Sequence, residues 1–309
     1  MKRAFITSGK GGVGKTLSSC SLALQLSKTE KTGIIDFDGG HSVKETLRIK
    51  ETIEPNSVVE VRPNLFVSVI ENIKFKNAFG IKNKTLSFEE YFLQFEQDLG
   101  FVAYCDMINA FFGVPTDIDG VQKFIILSQK YFEMKKLGVE NLIIDLEPTA
   151  GFKRFLCDSK STISSLQNLK NNGVILLGVI GFAWPDIAKF LKSKYIKDID
   201  KYTNNLQETI EEIRNANFLL ATIPQFNPVK QVFEVSKIVK EFDGKTYGII
   251  INNVRGEQFE EENIKILKTL NLPLVKIPYT ESLHLNQDQK FTIESLEQIG
   301  EKIISDLSK

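Results

Sequence analysis

The sequence predicts an α/β fold: a mostly parallel sheet with helices on both faces, plus a helical insertion. Three observations carry that prediction. A glycine-rich loop at residues 9–16 joins an apolar strand to an apolar helix. Short apolar runs then alternate with longer helical patterns to the end of the chain, the pattern of βαβ units. Several of those runs end in carboxylates or amides (IIDFD, LIID, IINN), and open parallel sheets bind ligands beyond the carboxyl ends of their strands.

The loop reads GKGGVGKT and fits G-x-x-x-x-G-K-[ST], the phosphate-binding loop of P-loop NTPases. Residues 2–7 (KRAFIT) enter it as a strand and residues 18–26 (SSCSLALQL) leave it as a helix. Gly9, Gly11, Gly12 and Gly14 let consecutive backbone N–H groups turn toward one point and form a nest for anionic oxygens. Lys15 supplies a point charge for the β- and γ-phosphates, and Thr16 offers a hydroxyl to Mg²⁺. The helix adds the positive end of its dipole. The candidate cradle for ATP or ADP therefore runs from Gly9 to Leu17, Val13 included. Lys10, taken alone, reads as a solvent-facing loop lysine.

Composition narrows the partners. Of 309 residues, 39 are basic and 39 acidic, so the net charge gives no electrostatic reason to expect nucleic acid. The first residues lack the apolar run of a signal peptide. No apolar stretch reaches the ~18 residues of a spanning helix, which leaves peripheral contact as the only membrane association to expect. The three cysteines, Cys20, Cys105 and Cys157, are far apart. They argue against a disulfide framework and for a reducing cytoplasm. With no C-x-x-C and two histidines, a zinc site is not expected.

Along the chain, residues 31–38 (KTGIIDFD) read as a second strand. Asp36 and Asp38 at its end either face the ligand or form a strand-end turn pair. Residues 41–47 follow as a loop or short helix, and residues 63–71 (PNLFVSVIE) alternate like a strand. Residues 72–116 are rich in Phe and Lys, and Phe88, Tyr91, Phe92 and Phe95 fall at helical spacing. That region either covers the sheet or offers an apolar surface to a client. Residues 141–149 (NLIIDLEPT) form a buried strand ending in Asp145, the Walker B position, whose carboxylate holds Mg²⁺ through water. Residues 152–213 read as helical. They contain the most apolar run of the chain, 174–184 (VILLGVIGFAW), either a buried helix or strand or the floor of a client groove. Strands follow at 217–224, 247–253 and 274–279, with helices at 229–242 and 293–307. Without repeats or linkers, the chain reads as one domain over residues 1–309, with helical client-binding insertions at about 73–116 and 152–213.

Together these strings resemble the ArsA group, the arsenite-pump and tail-anchored-protein-targeting ATPases, within the MinD/ParA/ArsA class of deviant phosphate-loop ATPases. In that class the lysine at the position of Lys10 reaches across a nucleotide-sandwich dimer to the partner's phosphates. The string IIDFDGGHSVKETL resembles the group's first switch, D-P-A-H-x-L-x-D. Asp38 and His41 align with its first Asp and its His, while Gly39 and Gly40 replace Pro and Ala. The resemblance makes Asp38 the carboxylate that positions and polarises the attacking water, beside a Mg²⁺ held by Thr16 and Asp145. DLEPT resembles the second switch, D-T-A-P-T-G-H-T, with Asp145, Pro148 and Thr149 matching. Asn252 aligns with the asparagine that reads adenine N6 and N7, a task suited to an amide that donates and accepts at once. LVKIPY resembles the last strand and the loop over the base, which carries Pro278 and Tyr279. The metalloid-binding cysteines of the arsenite branch have no counterpart here. The resemblance implies an ATP-hydrolysing homodimeric switch, with Lys10, Lys15 and Asp38 catalytic, that couples its cycle to a client such as a hydrophobic protein segment. The alternative is a MinD/ParA-like positioning ATPase acting on a surface or scaffold.

Overall fold

The structure is a computed structural model that describes residues 1–37, 42–71, 118–146, 149–183, 185–279 and 292–308. Asp38 to His41, the Phe-rich segment 72–116, Pro148 and Trp184 fall outside those residues.

Eight strands form one sheet: β1 (Arg3–Gly9), β2 (Thr32–Asp36), β3 (Val59–Arg62), β4 (Leu65–Val69), β5 (Asn141–Asp145), β6 (Asn217–Thr222), β7 (Lys245–Val254) and β8 (Leu274–Pro278). Their order is β3-β4-β2-β5-β1-β6-β7-β8. Every pairing is parallel except β3 with β4. The described helices are α1 (Lys15–Ser27), α2 (Ser42–Thr46), α3 (Ile118–Lys136), α4 (Thr149–Ala183), α5 (Pro185–Asn215), α6 (Phe226–Glu241), α7 (Gln258–Lys268) and α8 (Ile293–Leu307).

The central strands are apolar on both sides, as covered parallel strands must be. Residues of β2, β4 and β5 are buried throughout. Phe5, Ile143, Leu219 and Ile250 share one core with α1, α2 and α8. Alternation sends Phe218 to the other face, where its ring lies 6.0 Å from that of Phe152 on α4. On that face, too, Gly33 leaves room for α3: a Cβ there would meet the Met134 sulfur at 2.5 Å.

The strands predicted at residues 2–7, 31–38, 63–71, 141–149, 217–224, 247–253 and 274–279 all form. β3 was not expected. It is an antiparallel edge strand of four residues, VEVR, half-buried and with a register shift between Glu60 and Arg62, and two apolar–polar repeats are too few to mark a strand. α8 closes on α1 so tightly that a Cβ at Gly300 would sit 2.1 Å from the Ser21 carbonyl oxygen.

Compactness divides the chain into two units. The first comprises Met1–Glu71, Lys130–Leu156 and Glu211–Lys309, and holds the sheet. The second comprises Asn72–Gln129 and Cys157–Ile210. Its described part is helical, with Phe124, Leu127, Tyr202 and Leu206 buried. There Thr209 Oγ1 donates to Ser128 Oγ at 2.9 Å, joining α5 to α3. The run 174–183 is helix rather than strand. Leu176 and Leu177 are buried, but Ile175, Val179 and Phe182 are exposed, Phe182 at 95 %. Their spacing of four and three residues puts those three on one helix face.

Candidate nucleotide site

β1 lies between β5 and β6, and the chain leaves it toward β2 on one side and later returns on the other. Such a reversal opens a crevice at the carboxyl ends of the strands. The glycine-rich loop begins there because β1 runs hard against β6: a Cβ on Gly9 would sit 2.2 Å from the Ala221 carbonyl oxygen. Gly12 and Gly14 take φ of 79° and 86°, a left-handed conformation that glycine adopts at little cost. α1 then starts without a side-chain cap and without an acidic residue in its first turn. Its positive end is therefore not neutralised by the helix's own residues.

Lys15 is buried, and its Nζ donates to the Lys10 carbonyl at 3.5 Å, folding the lysine back over the loop. Val13 is buried under the loop, whereas Lys10, Gly11 and Gly12 are exposed. Thr16 Oγ1 donates to Asp145 Oδ2 at 2.6 Å and lies 3.4 Å from Ser42 Oγ. Thr7 Oγ1 and Ser19 Oγ each stand 2.9 Å from Asp145 Oδ1. Burial pushes the Asp145 carboxyl above its usual range, and the hydroxyls of Thr16, Thr7 and Ser19, with the Lys15 charge, act against that rise. Each hydrogen bond to a charged acceptor contributes about 1.5–3 kcal/mol, so three hydroxyls offset much of the cost of burying the carboxylate.

Asp36 is the register partner of Asp145 on the adjacent strand. It is fully buried and accepts the Val43 N–H at 3.3 Å, tying α2 to the end of β2. Asp36, read as facing the ligand or forming a strand-end turn pair, is thus buried and anchors the backbone of α2. Phe37, the last described residue before Asp38, donates its N–H to the Asp145 carbonyl at 3.0 Å.

Asn252 ends up against the loop. Its Nδ2 donates to the Val13 carbonyl at 2.7 Å and reaches the Gly14 carbonyl at 3.4 Å. The residue is 2 % exposed, and its Oδ1 is buried with no hydrogen-bond partner. Pro278 ends β8 opposite Val254, and Tyr279 donates its N–H to the Val254 carbonyl at 2.9 Å. The Arg255 guanidinium lies 4.0 Å from the Tyr279 ring centroid. The β7–α7 loop is fixed by Glu260, whose Oε2 accepts N–H bonds from Arg255 and Gly256 at 2.8 Å each and from Glu257 at 3.3 Å. The structure therefore brings Asp145 from β5 and Asn252 from β7 against the phosphate loop and its Lys15 and Thr16. Thr7, Ser19, Arg255 and Glu260 were not expected at the site: hydroxyls within apolar runs read as small core residues.

A phosphate loop whose threonine pairs with a strand-end aspartate decides the class of site, and the family comparison agrees. The profile described as anion-transporting ATPase matches residues 2–274. The chain belongs to the anion-transporting ATPase family. Its similarity to named relatives is distant but long. It is 22 % identical over 267 residues to the ATPase ASNA1 homolog of Plasmodium vivax, covering 80 % of this chain and 62 % of that protein. It is 23 % identical over 275 residues to ATPase GET3 of Chaetomium globosum, covering 82 % and 73 %. It is 26 % identical over 271 residues to the ATPase ASNA1 homolog of Entamoeba dispar, covering 82 % and 76 %. The chain thus spans about three-fifths of the Plasmodium relative's length. Family membership matches the ArsA resemblance of the motifs and the expected α/β sheet.

Among the described residues of this family member, no helix is long and apolar enough to cross a membrane. Cys20 is buried on α1, and burial pushes its thiol well up, away from the thiolate that would capture a soft metalloid.

Proposed function

We propose that this chain is an ATP-hydrolysing dimeric switch that couples nucleotide binding and hydrolysis to the binding of a client. The observation that carries the reading is the Thr16–Asp145 hydrogen bond beneath an uncapped helix start, with Lys15 folded over the loop. The residues fit Mg²⁺. Thr16 gives its proton to Asp145 and keeps a lone pair on Oγ1. Mg²⁺ retains several waters, so one hydroxyl and one carboxylate reached through water suffice. When bound, the ion supplies charge neutralisation at the β- and γ-phosphate oxygens.

In this reading Lys15 and the loop N–H groups hold the phosphates. Asp38 holds the attacking water, and Lys10 supplies the extra cation from a second copy of the chain. Asn252, Pro278 and Tyr279 stand at the ends of β7 and β8 and receive the adenine. The amide of Asn252 has an acceptor, Oδ1, still to be satisfied. Replacing Lys15 with alanine is expected to weaken ATP binding roughly 30-fold or more, the cost of truncating one member of a buried charge pair. Calorimetric titration with ATP checks this; wild-type affinity in the variant would remove the loop from the site.

The helical insertions supply the client surface. The second compact unit supports this, because its α4 exposes Ile175, Val179 and Phe182 on one face. Scattered exposed apolar residues are ordinary, but a row of them on one helix face marks a binding site. Phe182→Asp is expected to weaken capture of an apolar 20-residue peptide roughly tenfold, since burying such a side chain contributes about 1.5–3 kcal/mol. Fluorescence anisotropy with a labelled peptide reads the change. The positioning alternative, acting on a surface or scaffold, calls in its membrane-binding form for an apolar-faced helix free to lie on the lipid. α8 does not offer one, since Leu296, Ile303 and Leu307 are buried in the core.

A further inference from the structure

Two hydroxyls beside Asp145 have work beyond packing. Thr7 on β1 and Ser19 on α1 are fully buried. Register places Thr7 directly opposite Asp145 on the neighbouring strand. Ser19 lies three residues after Thr16, which puts both on the same face of α1. Thr7 Oγ1 and Ser19 Oγ each lie 2.9 Å from Asp145 Oδ1, and 2.7 Å from one another. Ser19 Oγ also lies 3.1 Å from the Lys15 carbonyl.

Two hydroxyls own two protons, and three short contacts close the triangle with Oδ1. With the carboxylate ionised, at least one hydroxyl donates to Oδ1 while the other donates to its neighbour, to Oδ1 itself or to a backbone carbonyl, that of Ile144 from Thr7 or of Lys15 from Ser19. Arrangements of this kind commit Oδ1 to the interior. Oδ2 is left aimed at Thr16, 2.6 Å away. The terminal torsion of an aspartate is broad and roughly two-fold, so an unclamped carboxylate turns readily.

We propose that Thr7 and Ser19 are positioning residues for Mg²⁺: they fix the rotation of Asp145 so that one oxygen alone, Oδ2, faces Thr16 and the ion. The proposal rests on the nucleotide reading above and adds to it a pair of residues outside the phosphate-loop motif. Partners of a metal's direct ligands typically alter metal affinity about 10- to 100-fold, and Thr7 and Ser19, acting through a carboxylate reached by water, belong at the low end of that range.

The test is equilibrium binding of a non-hydrolysable fluorescent ATP analogue to the full chain, once with Mg²⁺ and once with EDTA. The ratio of the Kd in EDTA to the Kd in Mg²⁺ measures how much the ion strengthens nucleotide binding. In the Thr7→Val/Ser19→Ala double variant that ratio should fall roughly tenfold, and Thr7→Ser, which restores the hydroxyl, should keep the wild-type ratio. Ser19→Ala alone removes a single oxygen and should lower the ratio several-fold, so it serves if the double variant does not fold. A packing role would lower the melting temperature and weaken binding equally in both buffers, and an unchanged ratio overturns the proposal. The two readings fail differently. Wild-type chain that binds the analogue in neither buffer overturns the nucleotide reading and the clamp with it. Wild-type chain with a clear Mg²⁺ effect, retained in full by the double and single variants, overturns the clamp alone.

Discussion

Asp38→Asn is expected to keep ATP bound and to lose turnover by a factor of roughly 10²–10⁴, the range general-base assistance supplies. The amide keeps the size and one acceptor oxygen but cannot take up a proton or carry the charge that polarises a water. The chain immediately before this residue is held at the site, because Phe37 donates its N–H to the Asp145 carbonyl and stacks edge-on against Phe155, with centroids 5.0 Å apart. Single-turnover phosphate release, measured beside ATP affinity, separates the step from binding. Turnover at the wild-type rate would move the water-holding role to another carboxylate.

Lys10→Ala is expected to have an effect of similar size by a different route. A γ-phosphate carries more charge than Lys15 and Mg²⁺ neutralise, and an added cation from a partner contributes about 10³ or more in rate. Within the loop, Lys15 is buried and folded back, whereas Lys10 is exposed and lends its carbonyl to Lys15. Its side chain is therefore available to a second copy of the chain, and the flanking glycines permit close approach of two backbones. The variant should bind ATP, remain monomeric and hydrolyse about a thousandfold more slowly. Normal turnover by a monomeric Lys10→Ala protein would return this lysine to an ordinary loop position.

The parts of the fold that the sequence announces are those where burial is complete. β2, β4 and β5 are covered on both faces; the apolar runs of β2 and β5 say so, while β4, read from alternation, is buried along its whole length, Ser68 included. β3 does alternate, as VEVR, but over only four residues at a half-buried edge, too brief a pattern to stand out. The run 174–183 shows how far hydrophobicity goes: it gives the presence of an apolar segment but not which side is covered. Leu176 and Leu177 are buried while Ile175, Val179 and Phe182 are exposed, a distinction that the apolar character of the run does not carry.

The site follows the same rule. The loop and Asp145 carry local motifs and are legible. Thr7, Ser19 and the inward turn of Asp36 depend on which strands become neighbours: β1 and β2 flank β5, and that order is set by the whole chain. Asn252 illustrates a third case. An amide at a strand end suits a base edge, and here it also bonds the phosphate loop through Val13. A single residue thereby joins the β7 end to the loop, which no local pattern encodes.

Sedimentation velocity of Asp38→Asn, with ATP and Mg²⁺, tests the dimeric switch most directly. The variant should sediment as a monomer without nucleotide and as a dimer with ATP, and adding Lys10→Ala should hold it monomeric in both. A chain that stays monomeric with ATP bound, or a dimer indifferent to nucleotide and to Lys10, would contradict the account.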